Sequence, residues 1–176
     1  ELGLLELIIQ RGPEALDGLP KEMRDNQESM AEAIENNVRR TIVDENPVNP
    51  KYYERTSVLL DELIDLRRQQ AISYQEYLEK VRELAKQVKY PQSHSQSAYP
   101  ESIDTAAKRA LYDNLGKDEL LVARIDTAVR YTKKADWYGD RFKEREIAFA
   151  IAEETKGYDV TVAEVMELVK AQQEYH

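Results

Sequence analysis

The amino-acid sequence predicts an all-α protein, a bundle-like packing of about seven helices with no significant sheet. Three observations carry that expectation. Apolar residues recur at three- and four-residue spacing along most of the 176 residues, the mark of helices with one buried face. Helix start signals punctuate the pattern, among them Asn49-Pro50, Ser73 with Glu76, and Thr161 with Glu164. No alternating strand pattern competes; the nearest, Tyr158 to Val162, is too short to found a sheet.

In chain order, Leu2, Leu4, Leu5, Leu7, Ile8 and Ile9 form a dense run closed by Gly12-Pro13. They point more ways than an amphipathic helix allows, so some of the run is expected to pack against sequence outside this chain. With a first residue, Glu1, that is not methionine, the expectation is an excised fragment of a larger protein. A turn-rich piece through Gly18-Leu19-Pro20 follows. Met23, Met30, Ile34, Val38 and Ile42 then mark a long helix ending before Asn46-Pro47.

Asn49 to Val88 predicts an antiparallel helical hairpin. Asn49 caps the first helix and Pro50 takes its first position, where a missing N–H costs nothing. Tyr53, Thr56, Leu59, Leu60, Leu63 and Ile64 form the first stripe; Tyr77, Val81, Leu84, Ala85 and Val88 form the second. Tyr90 to Pro100 reads YPQSHSQSAYP, a low-complexity segment expected to be an exposed loop or linker. The expected organisation is an N-terminal helical region, residues 1–89, this linker, residues 90–100, and a C-terminal helical region, residues 101–176. Together they are expected to make one compact domain.

Past the linker, Ala106, Ala110 and Leu111 build a helix that stops at Leu115-Gly116, the glycine placed for a left-handed C-cap. Leu120, Leu121, Ile125, Ala128, Val129 and Thr132 form the next, which breaks at Asp136-Trp137-Tyr138-Gly139-Asp140. The helix from Arg141 carries Ile147, Ala148 and Ile151 on one side and Phe142 and Phe149 on another, so both sides are expected to be covered. Gly157 ends it. Val162, Val165, Met166 and Val169 line the last helix.

Bulk properties narrow the function classes. A net charge of -9 and an isoelectric point near 4.9 argue against a general polyphosphate-binding surface, while leaving room for a local basic patch. Zero cysteine removes disulfides, thiolate nucleophiles and Cys-based zinc sites, and fits a reducing cytoplasm. The longest apolar runs are far too short for a transmembrane helix. With no signal or transit peptide visible, a cytoplasmic location is the expectation.

The catalytic inventory is thin, and no catalytic, cofactor-binding or metal-binding residue is nominated. Of two histidines, His94 sits between serines in the low-complexity segment and His176 is the last residue. Ser93-His94-Ser95 has no group to orient a base. Gly116-Lys117 is followed by Asp118, so no phosphate loop is formed. Glu154-Thr155-Lys156 matches the Glu-x-Lys element of metal-dependent nucleases but ends a helix, away from any strand. Asp61, Glu62 and Asp65, with Arg67 and Arg68 nearby, read as a solvated face.

Interaction is better supplied. Eleven tyrosines against two phenylalanines suit the rims of cores and of interfaces. In Asp136 to Glu146, Trp137, Tyr138 and Phe142 stand among Arg141, Lys143 and Arg145. That mixture fits a helix start with buried aromatics and locally paired charges. That helix-start reading is preferred to stacking and phosphate contacts on nucleic acid, and the same residue types also suit a protein interface. Trp137, Tyr138, Arg141, Phe142 and Arg145 are therefore the candidate partner-binding residues. The basic pairs Arg39-Arg40, Arg67-Arg68 and Lys108-Arg109 have acidic neighbours and read as solubilising or helix-pairing charge.

The residues also carry a resemblance. MAEAIENNVRRTIVDENPVNPKYYERTSVLLDELIDLRRQQAISYQEYL, followed by YPESIDTAAKRALYDNLG, DWYGDRFKEREIAFAI and VMELVKAQQEY, resembles the C-terminal region of the restriction (motor) subunit of type I restriction-modification enzymes. The phrases occur in the same order and span nearly the whole chain. The resemblance implies a non-catalytic helical assembly domain that attaches an ATP-dependent DNA translocase and endonuclease to its methyltransferase-specificity core. The nuclease and ATPase motifs, with their ATP and Mg, lie elsewhere in such a subunit, so no catalytic residue carries over. The implied partners are the methyltransferase and specificity subunits and the motor domains of the same chain, with DNA only in the full complex and no membrane. Two other readings stand beside it: a DNA-contacting module that guides DNA near the motor, and a purely structural helical scaffold.

Overall fold

The described chain is helical nearly throughout. The computed structural model describes residues 3–176, apart from the side chains of residues 23, 24 and 94–97; Leu2, and the side chains of Met23 and His94, thus lie outside the described residues. The helices are α1 (Leu4–Arg11), α2 (Lys21–Asp25), α3 (Gln27–Glu45), α4 (Pro50–Arg68), α5 (Tyr74–Lys89), α6 (Pro91–Ala98), α7 (Ala106–Asn114), α8 (Glu119–Thr132), α9 (Arg141–Glu154) and α10 (Val162–Lys170). Three short 3₁₀ turns supplement them, and no strand occurs among the described residues. The all-α expectation holds. The number of longer helices is roughly as expected, and two features that apolar periodicity does not show add the segments α2 and α6.

One is a break at Asn26. The long helix expected from Met23 starts instead at Gln27, because the Asn26 side chain accepts a hydrogen bond from Ser29 N at 3.0 Å and so caps α3. The other concerns 90–100, expected as an exposed loop. Pro91–Ala98 is a helix, opened by proline at its first position, where the ring's fixed φ favours the helix; the Ser93 hydroxyl donates to Tyr90 O at 2.8 Å.

The chain divides into two compact units: Glu1–Asn46 with Tyr53–His94, and Pro47–Tyr52 with Ser95–His176. In the first, Leu5, Ile8, Met30, Ile34, Val38, Leu60, Tyr77, Val81 and Val88 are buried. The hairpin forms as expected. Asn49 Oδ1 accepts from Tyr52 N at 3.3 Å, and Ser73 Oγ accepts from Glu76 N at 3.1 Å. All five predicted residues of the α5 stripe are buried, but on α4 Leu59 remains 39% exposed. Gly12, at φ 75°, turns the chain out of α1. A Cβ there would stand 3.2 Å from the Arg82 guanidinium, which donates twice to Ile9 O at the end of α1. Glycine thus serves the turn and leaves room for the arginine that caps the helix.

Arg67 departs from the solvated face assigned to it. Its guanidinium grips Glu35, 2.8 Å from Oε2 and 3.0 Å from Oε1, and Glu35 also accepts from Tyr77 Oη at 2.7 Å. Glu28 lies 3.1 Å away on the other side. The bond to Glu35 outweighs desolvation and raises the Arg67 pKa further, so the guanidinium stays charged. Asp61, Glu62 and Asp65 are exposed as expected, Asp61 pairing with Arg39 at 2.6 Å.

In the second unit, Ile103, Ala107, Leu111, Leu121, Ile125, Val129, Trp137, Ile147, Ile151, Val165, Val169 and Tyr175 share one core. A polar clasp joins Pro47–Tyr52 to it. Asn49 Nδ2 donates to Asp113 at 2.8 Å, Asn114 Nδ2 donates to Asn49 Oδ1 at 2.7 Å, and Gln172 Nε2 donates to Val48 O at 2.8 Å. α7 stops as expected, with Gly116 at φ 89° and Lys117 N returning to Tyr112 O. The capping box at Thr161 and Glu164 is complete in both directions.

Candidate functional site

The five nominated residues lie where α8 turns into α9. Asp136, at φ 54°, and Gly139, at φ 88°, make the left-handed turns that the Asp-Trp-Tyr-Gly-Asp stretch foretells. Asp140 then caps α9, its carboxylate accepting from Phe142 N at 3.0 Å and Lys143 N at 3.2 Å. Glu144 reaches back to accept from Gly139 N at 2.8 Å, and its other oxygen meets Lys170 at 3.3 Å. Lys143 closes the turn by donating to Ala135 O at 2.7 Å.

Trp137 is the floor of this turn. It is 1% exposed, and its indole N–H donates to Tyr175 O at 2.8 Å, satisfying the polar end of a buried aromatic. As a surface contact it is ruled out. Tyr175 is buried too, its hydroxyl donating to Asp126 Oδ1 at 2.6 Å. Burial first, and the Asp126 carboxylate second, push this phenol far above its ordinary pKa. Arg130 chelates Asp126 at 3.0 and 3.1 Å, meets Glu174 at 2.5 Å, and lies 5.1 Å from the Tyr175 ring centre. Glu174 in turn accepts from Ala107 N, in the first turn of α7, at 2.6 Å.

The remaining nominees face outward. Tyr138 is 57% exposed and packs its ring 4.7 Å from that of His176. Phe142 is 78% and Phe149 67% exposed, so the second side of α9 is bare and not covered as expected. Seven residues apart, the two phenylalanines fall nearly in line along the helix. Arg141 and Arg145, both exposed, stand beside that line with no ion-pair partner among the described residues. The acidic residues on the other flank are neutralised: Glu146 pairs with Lys134 at 2.9 Å and Glu153 with Lys156 at 2.9 Å. The outer face of α9 is therefore aromatic and locally basic on an acidic protein.

Sequence reasoning misses what adjoins it. Between α8 and α9 lies an open groove of ≈ 500 Å³ lined by Ala123, Thr127, Ala128, Tyr131 and Ala150, with Arg124, Glu153 and Glu154 among its other walls. Tyr131 is 92% and Leu120 58% exposed. Their spacing on α8 does hold a signal, since both fall opposite the stripe of Leu121, Ile125 and Val129; Leu120, expected within that stripe, lies off it. Among the described residues no group of three or more His, Asp or Glu side chains is placed to hold a metal ion. Thr155, in the Glu154-Thr155-Lys156 triplet, is buried and bonded to Ile151 O. No helix among the described residues is long and apolar enough to cross a membrane. Neither family models, curated proteins nor solved structures match the chain.

Proposed function

We propose that this chain is the non-catalytic helical assembly domain of a type I restriction-modification motor subunit. On that reading it attaches the ATP-dependent translocase and endonuclease to the methyltransferase and specificity subunits in the cytoplasm. ATP and Mg then belong to other domains of the parent subunit. The order of the four resembling phrases supports the reading from sequence. The observation that carries it is the outer face of α9, where Phe142 and Phe149 stand exposed in line beside Arg141 and Arg145, which have no ion-pair partner among the described residues. Solvating two phenylalanines on one helix face is unfavourable at roughly 25 cal/mol per Å² of apolar surface. Aromatic and Arg side chains dominate interface energetics. Tyr138, Arg141, Phe142, Arg145 and Phe149 form the contact, over Trp137 as its support.

The test is capture of the chain by an immobilised methyltransferase-specificity complex. Phe142→Asp with Phe149→Asp should weaken binding at least about tenfold without lowering the thermal midpoint, because both side chains are already in solvent. Equal capture of the double variant would remove α9 as the contact. A folded chain that the complex does not capture at all would sink the assembly role.

A further inference from the structure

α9 reads RFKEREIAFAIAEE from Arg141 to Glu154, and its charge runs the wrong way for a lone helix. Arg141, Lys143 and Arg145 crowd the start and Glu153 and Glu154 the end, while the macrodipole favours anions first and cations last. On the outer face Arg145, Phe149 and Glu153 follow at four-residue steps and form one ridge, all three exposed. Arg145 and Glu153 lie about 12 Å apart along the axis, too far to pair with each other. Among the described residues Arg145 has no ion-pair partner and Glu153 has only Lys156, in a pair whose side chains are 69% and 71% exposed. A surface pair of that kind contributes little.

We infer that this ridge pairs with the same ridge of a second copy of the chain, antiparallel about a two-fold axis at Phe149. A ridge that reads basic, aromatic, acidic is its own complement when reversed, which is what a contact made by one patch on both subunits requires. Arg145 of each copy then faces Glu153 of the other, once on each side of the two Phe149 rings. Further out, Phe142 faces Lys156, a cation against an aromatic ring; Glu146 faces Ala152 and Arg141 faces Gly157. No like charges are opposed along the ridge. Glu154 and Arg124 lie off it, in the walls of the α8–α9 groove. A uniformly acidic partner would attract Arg145 but repel Glu153, and a basic one the reverse. The second copy covers the same Phe149 that the assembly contact uses, so the dimer is the state of the unpartnered chain. The inference does not rest on that contact.

Sedimentation of the 176-residue chain, with no other protein present, is the test. The chain should dimerise reversibly with a Kd in the micromolar range. Arg145→Glu alone and Glu153→Arg alone should each weaken the dimer at least about tenfold. An equimolar mixture of the two variants should restore it, because only their heterodimer sets opposite charges face to face again. The first substitution makes the chain more acidic and the second less, so repulsion by net charge alone would move the two in opposite directions. Phe149→Asp should leave a monomer, with the circular-dichroism melt unchanged in all three variants because the side chains are exposed. A monomeric parent chain up to about 1 mM, a dimer tightened by Glu153→Arg, or a mixture no tighter than either variant alone overturns the proposal. So does self-association that persists in the Phe149→Asp chain, which would place the contact on another face.

Discussion

Arg67, Glu35 and Tyr77 in the first unit repeat the arrangement of Arg130, Asp126 and Tyr175 in the second. In each, a guanidinium chelates a buried carboxylate that also accepts from a buried phenol, and the guanidinium lies 5.8 or 5.1 Å from that ring's centre. Burial, and then the bonded carboxylate, raise both phenol pKa values far above the ordinary one. The folded state therefore keeps both protons where the unfolded state would lose them. Their stabilisation is complete below about pH 10 and falls as pH rises beyond it. Tyr77→Phe or Tyr175→Phe should cost about 1.5–3 kcal/mol at pH 7. The gap to the parent chain should narrow in urea melts between pH 9 and 11; a constant gap would refute the linkage. Arg67→Met should cost more, about 3–5 kcal/mol, because it strands the Glu35 carboxylate. Adding Glu35→Met should restore much of that loss. None of this is legible in the sequence. Arg67 stands beside acidic residues on its own helix, and only packing brings it to Glu35, 32 positions earlier.

At the scale of the element, the legible features are those whose partners lie within one turn. Ser73 and Thr161, read as caps, each accept from the backbone three residues on; Thr105, Asp118 and Asp140 do the same without being among the caps read from the sequence. The predicted stops at Gly116 and Gly157 have the positive φ that a left-handed residue supplies. Composition misleads at 90–100, where serine and glutamine suggest a loop although Pro91 is well placed to open a helix. Periodicity is ambiguous for α9: it shows two apolar sides but not which one meets a neighbour. That choice rests on Ile147 and Ile151, which are buried, and leaves Phe142 and Phe149 outside. Asp140 bears directly on the candidate face, since it fixes the start of the helix that presents Arg141, Phe142 and Arg145. Asp140→Ala should lower stability by about 1 kcal/mol, as loss of an N-cap does, and Asp140→Ser should recover most of it. A melt unchanged in the alanine variant would mean that Glu144 and Lys143 alone hold the turn.

At the scale of the molecule, charge separates a protein-assembly surface from a DNA guide. Each phosphate contact releases counterions, so the logarithm of the binding constant falls with the logarithm of salt by about 0.9 per contact. A guide with six to ten contacts would lose roughly 10³–10⁵ in affinity between 50 and 200 mM salt. The α9 face offers Arg141 and Arg145, free of ion pairs among the described residues, on a chain whose net charge is -9. Two contacts predict a loss of only about tenfold over the same range, starting from weak binding that the surrounding acidic surface reduces further. Burial of two phenylalanines depends little on salt, so capture by the methyltransferase-specificity complex should persist at 200 mM. Anisotropy of a labelled duplex and retention on the complex, measured at both salt concentrations, give the two slopes side by side. A DNA slope of six or more contacts, with Arg141→Glu and Arg145→Glu abolishing it, would make α9 a DNA-guiding surface. Retention that is salt-tolerant and lost in the Phe142→Asp, Phe149→Asp chain would make it the seat of a protein partner, because only the apolar contribution survives screening.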